Sequence, residues 1–506
     1  MSTDKHDLSR RKKLLLNTGA GFLKQIITIL CGFVLPRYLL VYYGSSVNGL
    51  ITSITSYLSF ISLMDMGVGA VVQANLYKPL AQKDKGQISR LVKSSERFFR
   101  RLAYIFIAYI AVLCFVFPSM VEGDFGVWYT VSLVIIISVS TLAQYLFGMT
   151  YQLLLSADQK SYIPLTLQFG TIALNTLLTI ILMRAGASVH AVKLMTAAVF
   201  VMRPLGQMLY VRRHYDIDRK IGLEGEPIRQ KWNGFSQHIA AVVSSNIDVV
   251  ALTLFSTLGN VSVYSVYFNV TYGVEELVMT ATTGLESLFG NMIAKNEKQK
   301  LMRTFSAVEW IMHAGVTLIF TIAAITIVPF VRVYTSGITD AEYIVPLFAV
   351  SIVLAYGMQC LRVPYFRMIK AAGHFKETQN GAYISTIINI ALTVPLVIFF
   401  GLKGAAVGTF AAMLYHTCYF ALYLRKNILD RPFWHFAKYM LTDAVTAGAA
   451  WWLTRGFEMS AVGYGAWCVL ALKVTGVTFL VCAAVNFLVY RKEIAGLMEF
   501  FRHRRK

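Results

Sequence analysis

Three observations predict an all-α integral membrane protein of about fourteen transmembrane helices: two six-helix lobes followed by a C-terminal pair. Apolar residues make up 56% of the 506, and charged residues only 14%, where soluble domains average about 25% charged. Mean hydropathy is +0.58. Apolar runs of bilayer-spanning length, about 20 residues each, recur along the whole chain. The third observation, an internal repeat, sets the lobe organisation.

The spans fall at roughly 14–40, 47–77, 102–119, 127–155, 162–183, 187–211, 234–257, 261–290, 305–331, 343–369, 381–400, 404–424, 437–454 and 463–490. The opening MSTDKHDLSRRKK is polar and basic and leads straight into a full-length span, unlike a cleavable leader. Orientation follows from the connections. With the N-terminus in the cytoplasm, 36 of the 47 Lys and Arg residues lie in cytoplasmic segments. The outer loops hold only Arg184, Arg332, Lys403 and Arg455. Both termini are therefore expected inside. The net charge of +21 is a topology signal, and an attraction to anionic lipid, rather than a nucleic-acid footprint.

The repeat is a series of matches at a nearly constant shift of about 213 residues. YYGSSVNG at 42–49 resembles STLGNVSV at 256–263, and RLVKSSERFFRRLAY at 90–104 resembles KLMRTFSAVEWIMHA at 300–314. SADQKSY at 156–162 faces AAGHFKE at 371–377. Asn175 matches Asn389, Gly186 matches Gly401, and Arg212-Arg213 match Arg425-Lys426. This divides the chain into a first lobe (1–211), a basic cytoplasmic linker (212–233), a second lobe (234–424) and a terminal helix pair with a basic tail (425–506). Each lobe has an even number of spans, so both enter from the same side. A pseudo-twofold axis along the membrane normal is expected, as in parallel-repeat transporters.

With L-P-R-Y-L-L-x-Y-Y-G-x-x-x-x-G (35–49), N-I-D (246–248) and L-G-N-V-S-V-Y-S (258–265), this organisation resembles the multidrug/oligosaccharidyl-lipid/polysaccharide exporter superfamily. Within it, the chain looks most like the polysaccharide-transport branch, the Wzx-type O-antigen and capsule repeat-unit flippases. The resemblance implies a multi-pass protein of the bacterial inner membrane, acting as a monomer by alternating access. Its implied cargo is a polyprenyl-diphosphate-linked oligosaccharide, moved outward beside polysaccharide polymerase and glycosyltransferase machinery. A cation-coupled multidrug exporter and a lipid II flippase are the alternatives of the same fold.

Charges inside the spans point to the cavity. At about 1.5 Å per helical residue, Lys24 and Arg203 fall near the midplane, Arg362 and Arg367 in the cytoplasmic half of span ten, and Arg37 near the outer edge. Intramembrane charges by default face protein or water, and ammonium or guanidinium groups there suit a diphosphate. These five are the candidate substrate-binding cations. Arg37 equally suits a gate or interface position, Arg367 an interface anchor and Arg362 an ion pair. Arg362-Val363-Pro364 also predicts a kink.

The acids within the spans include Asp65, Asp248, Glu275, Glu276, Glu286 and Glu309, of which the first four are the candidate coupling or ion-pair acids. Each of these four is expected either to pair with a cavity cation or to bind Na⁺ or H⁺ and couple its gradient to transport. Glu309 is expected at the solvated edge, and Asp443 with Lys473 as a structural pair between the last two spans. His238, His313 and His416 lie in spans and could line the cavity or sit hydrogen-bonded in the core.

Enzyme readings fare poorly. Asp216-Ile217-Asp218 has the D-x-D form of metal-dependent glycosyltransferases, but its loop is far too short for a nucleotide-sugar domain. The six cysteines lie in apolar segments without C-x-x-C spacing, the histidines lack ligand spacing, and no P-loop sequence occurs. No cofactor or resident metal is called for.

Overall fold

The computed structural model describes residues 2–65, 68–121, 125–222, 235–429 and 431–491. Side chains are described from Lys12 onward, apart from residues 14, 64, 65 and 235–238. The described chain divides into two compact units, residues 1–242 and 243–506.

The first unit opens with α1 (Ser2–Ser59), a long helix that carries the first expected span and the start of the second. A connecting loop was expected near Gly44. Instead one residue makes the junction, with Gly44 at φ 82 and ψ 175, a conformation open essentially to glycine alone. A 3₁₀ turn (Phe60–Asp65) and α2 (Val68–Gln82) complete the second span. Asp84 then caps α3 (Lys85–Met120) by accepting the Gln87 amide at 2.9 Å. The fourth span is broken into α4 (Val127–Ala143), a π turn (Gln144–Gly148) and α5 (Met149–Ala157). Next come α6 (Tyr162–Arg184) and α7 (Val189–His214), the latter capped by Ser188.

The second unit follows the same plan. It takes up α8 (Phe235–Phe255) from residue 243 onward, then α9 (Leu258–Ala281), α10 (Leu285–Ala294) and α11 (Lys298–Tyr334). Its fourth span also breaks, into α12 (Pro346–Leu361) and α13 (Val363–Ala371), with Pro364 beginning the new helix where the kink was expected. Then come α14 (Phe375–Phe400) and α15 (Leu402–Leu424). The terminal pair, α16 (Trp434–Thr454) and α17 (Tyr464–Val489), packs on α11.

Helices therefore stand at all fourteen expected spans. Ten described stretches are long and apolar enough to cross a membrane unaided. The difference arises because Leu15–Leu63 joins two spans, while α8, α9 and α16 are shorter or more polar. Backbone turns of positive φ recur in register: Lys83 with Asn296, Gln159 with Gly373, and Gly186 with Gly401. The repeat thus extends to turn geometry.

In the second unit, α14 and α15 pack closely through Gly404 and Gly408. A Cβ at Gly404 would strike the Leu396 carbonyl, and one at Gly408 would strike Thr393. Small residues spaced four apart let helix backbones meet where lipid supplies no hydrophobic drive. That approach sets Thr393 and Thr409 beside one another.

Candidate functional site

Asp248 projects from α8 and is only 4% exposed. Its partners are neutral. Tyr264 Oη donates to Oδ2 at 2.9 Å, and Thr409 Oγ1 lies 2.8 and 2.9 Å from the two carboxylate oxygens. Thr409 is also 3.2 Å from Asn389 Oδ1, which accepts from Thr393 Oγ1 at 2.9 Å. Thr393 in turn reaches the Ala405 carbonyl at 3.5 Å. No cation pairs with this carboxylate among the described residues. A buried carboxylate without a cation is costly, so the arrangement favours taking up a proton or a small hard cation. Carboxylate, amide, hydroxyl and carbonyl oxygens converge from α8, α14 and α15, a donor set that suits Na⁺ and offers nothing to a soft metal.

A second polar cluster surrounds the break in span ten. Arg362 lies 2.6 Å through Nη1 from His416 Nδ1, and 3.5 Å from Met413 Sδ. Glu275 on α9 accepts from Gln359 and bears electrostatically on Arg362. Glu276, one position on, is half-buried and meets Tyr272. Arg367 is engaged elsewhere: it lies 3.5 Å from Glu286 on α10, which Lys370 also approaches at 3.4 Å. Tandem cations on a neighbouring acid hold α10 to α13.

Two sequence expectations are corrected here. Glu309 is not solvated but 0% exposed. It accepts from Tyr365 Oη at 2.6 Å and pairs with Arg431, because α11 begins eleven residues earlier and its first turns are covered by the chain entering α16. Asp443 pairs not with Lys473 but with His313 Nδ1, at 2.6 Å. His313 also meets Tyr365 Oη at 3.1 Å through Nε2. The terminal helices are thus tied to α11 and α13, in a network that a search for opposite charges on neighbouring spans overlooks.

The first unit is built differently. Lys24 on α1 and Arg203 on α7 are both half-buried, and neither forms an ion pair among the described residues. Arg203 Nη2 donates to Thr171 Oγ1 at 3.2 Å, its guanidinium lies 5.2 Å from the Phe200 ring centre, and its buried Nε has no partner. Arg37 is half-buried on the same helix as Lys24, ahead of the Gly44 junction. Asp65 closes the 3₁₀ turn, but its side chain, like that of His238, lies outside the described residues.

Tyr264, Thr409, Thr393, Gln359 and His416 bring the polar clusters together, yet a search for intramembrane charge passes over most of them because they are neutral. The available signal was the Asn175–Asn389 match: a polar residue retained at one position of an apolar repeat.

Two repeated six-helix sets with a terminal pair, carrying buried charges within their helices, have the fold of the MOP superfamily of membrane transporters. One solved structure with this fold is the lipid II flippase MurJ in an inward closed conformation. It is 14% identical, with a TM-score of 0.68, covering 95% of this chain and 100% of that one. An inward-facing multidrug resistance MATE family transporter is 13% identical with a TM-score of 0.59, covering 82% of this chain and 98% of its own. A MOP superfamily transporter from Pyrococcus furiosus, described as having a binding pocket of reversed polarity, is 13% identical with a TM-score of 0.55; 83% of this chain and 97% of that one are covered. No family profile and no curated relative matches the sequence.

Proposed function

We propose that the protein is a flippase that moves a polyprenyl-diphosphate-linked oligosaccharide from the cytoplasmic to the outer leaflet of a bacterial inner membrane, for surface polysaccharide synthesis. The observation that carries this reading is Lys24 and Arg203: two cations within spans of the first unit, without a carboxylate partner among the described residues. Unpaired cations at that depth are costly unless an anion or water meets them. A diphosphate supplies that anion, and Arg203 Nε is a donor left for it. Arg362, beside His416 at 2.6 Å and without an ion-pair contact to a carboxylate among the described residues, would serve the same purpose in the second unit. Arg367 is the weaker candidate, since Glu286 already answers it.

Asp248 would couple the cycle. Na⁺ or H⁺ at its oxygen cluster removes the cost of the buried carboxylate, so one conformation of the second unit is favoured with the ion and another without it. The outward-to-inward gradient then does the work. The termini and the basic connections lie in the cytoplasm, as the Lys and Arg distribution indicates.

A lipid II flippase is the second reading, favoured by the match to MurJ over 95% of this chain. It shares the diphosphate chemistry and differs in the sugar. A multidrug exporter for cationic drugs fits less well, because Lys24 and Arg203 would repel such cargo. The test is reconstitution of the full chain in proteoliposomes. Translocation should be measured for a polyprenyl-diphosphate oligosaccharide, for lipid II and for a cationic dye. Uptake of the oligosaccharide lipid alone supports the proposal; movement of lipid II alone selects the second reading; movement of the dye alone sinks both.

A further inference from the structure

The first unit has a second cationic feature, set apart from the spans. Along α3, Lys93, Arg97, Arg100, Arg101 and Tyr104 recur three and four residues apart and so share one face. The chain following α7 folds back over this face and is pinned there. The Asp218 amide donates to Ser89 Oγ at 3.0 Å, Lys93 Nζ donates to the Ile221 carbonyl at 2.6 Å, and Lys85 pairs with Asp216 at 2.8 Å. Between strap and helix lies a cavity of about 450 Å³, lined by these α3 cations and Arg219. Its two acids are engaged: Glu96 accepts from Tyr151 Oη at 2.7 Å, and Asp218 accepts the Lys220 amide at 2.8 Å. Arg97, Arg100 and Arg101 are exposed, and none is ion-paired among the described residues.

What lies beside the cavity identifies its occupant. One turn further along, the exposed face of α3 becomes apolar, with Ile105, Ile107, Val112 and Phe115 uncovered, Phe115 by 86%. A pocket of guanidinium groups bordering an apolar, lipid-exposed helix matches a lipid: phosphate in the pocket, chains along the helix. The repeat sharpens this. In the second unit, Ala307, Trp310 and Ile311 stand where Arg97, Arg100 and Arg101 do. There the helix is covered by the terminal pair, Trp310 Nε1 donating to Asn486 Oδ1 at 3.0 Å.

We infer that this pocket binds the phosphate of an anionic phospholipid headgroup in the adjacent leaflet. That leaflet is the cytoplasmic one if the orientation proposed above holds; the binding itself does not depend on the cargo. The test uses the full-length protein in detergent, titrated with short-chain phosphatidylglycerol, short-chain phosphatidylcholine, inorganic diphosphate and undecaprenyl diphosphate. Phosphatidylglycerol should bind and phosphatidylcholine should not. Arg97→Gln, Arg100→Gln and Arg101→Gln together should weaken the former by about fivefold per residue, from about 1 kcal/mol for each basic residue near a membrane surface. A control removing the same charge from exposed positions of the second unit (Lys295→Gln, Lys298→Gln, Arg303→Gln) should bind as the parent does. Unchanged affinity in the first triple variant, or equal loss in the control, overturns the inference. So does undecaprenyl diphosphate or inorganic diphosphate displacing phosphatidylglycerol at lower concentration, since the site would then belong to the cargo or to a soluble anion. Because transport is not measured, failure of the flippase reading leaves this result intact.

Discussion

The two units share a scaffold and differ in charge. Each retains an Asn–Thr pair one turn apart in the helix before its positive-φ glycine: Asn175 with Thr179 at 3.5 Å, and Asn389 with Thr393 at 2.9 Å. In the second unit Asp248 and Thr409 complete an oxygen cluster around that pair. By the shift that matches Gly44 to Gly259, Asp248 has apolar Phe33 as its counterpart, whereas Thr409 has Thr196, by the shift that matches Arg212-Arg213 to Arg425-Lys426; the hydroxyl is shared and the carboxylate is not. The exchange also runs the other way: where the first unit has Arg203, the second has His416, whose Nδ1 lies 2.6 Å from Arg362 Nη1. The fourth span breaks in both, through a π turn ending at Gly148 in one and at Arg362 in the other. Duplication thus preserved the sites where helices bend or carry a polar residue, while the charges diverged: unpaired cations in one unit, a caged carboxylate in the other. This suits a division of labour, with anionic cargo on one side and a driving cation on the other.

If that division holds, the sharpest break comes from Asp248→Asn. The amide keeps the hydrogen-bonding shape but neither titrates nor binds a cation strongly. Transport driven by an imposed ion gradient should fall to the rate seen without the gradient, while the thermal unfolding midpoint stays near that of the parent. Gradient-driven transport at the parental rate would remove Asp248 from coupling.

Next in size is the pair Lys24→Ala and Arg203→Ala. Hydrogen bonds to charged groups contribute about 1.5–3 kcal/mol each, so the pair should reduce cargo affinity at least tenfold, most visibly at low cargo concentration. Binding of the driving ion to the second unit, followed by calorimetry, should be unaffected. A loss of ion binding instead would erase the distinction between the units.

Glu309→Gln probes the network that ties the terminal helices to the second unit alone. Breaking a buried ion pair typically costs about 3–5 kcal/mol, and here Arg431 would be left without its carboxylate. The expected outcome is a lower unfolding midpoint, with proteolysis first separating the segment carrying α16 and α17. A first unit that loosens equally would show that the network is not confined to the second.

The smallest effect concerns the turn at Gln159, in whose counterpart Gly373 stands where Asp158 does. Burial opposes ionisation of Asp158, but hydrogen bonds from Lys160 and Tyr215 and the charges of Lys160 and Lys13 hold its carboxyl below the usual range. A depressed folded-state value stabilises the turn above the unfolded value, near pH 4, and that contribution fades as the pH falls further. Protection of the amides at 158–162, measured by hydrogen exchange relative to the rate of an unstructured peptide at the same pH, should therefore fall as the pH drops below about 4 in the parent, but not in Asp158→Asn.

The sequence by itself determined the class, the helical spans, the repeat and the break at Arg362-Val363-Pro364. Each follows from local rules: apolar length against bilayer thickness, periodic matches along one chain, and the missing amide of proline. It also singled out the charged residues within the spans, since charge in a span is costly wherever it lies. Only the tertiary structure decided which of those charges are answered and by what. Lys24 and Arg203 stay unpaired among the described residues, Arg367 is given to Glu286, Glu309 to Arg431, and Asp443 to His313 rather than Lys473. It also supplied Tyr264, Thr409 and Asn389 around Asp248. The physical reason is that a partner lies within about 3 Å on a different helix. That distance depends on helix rotation and on close approaches such as that of Gly408 to Thr393, and neither is written in the order of residues along one span.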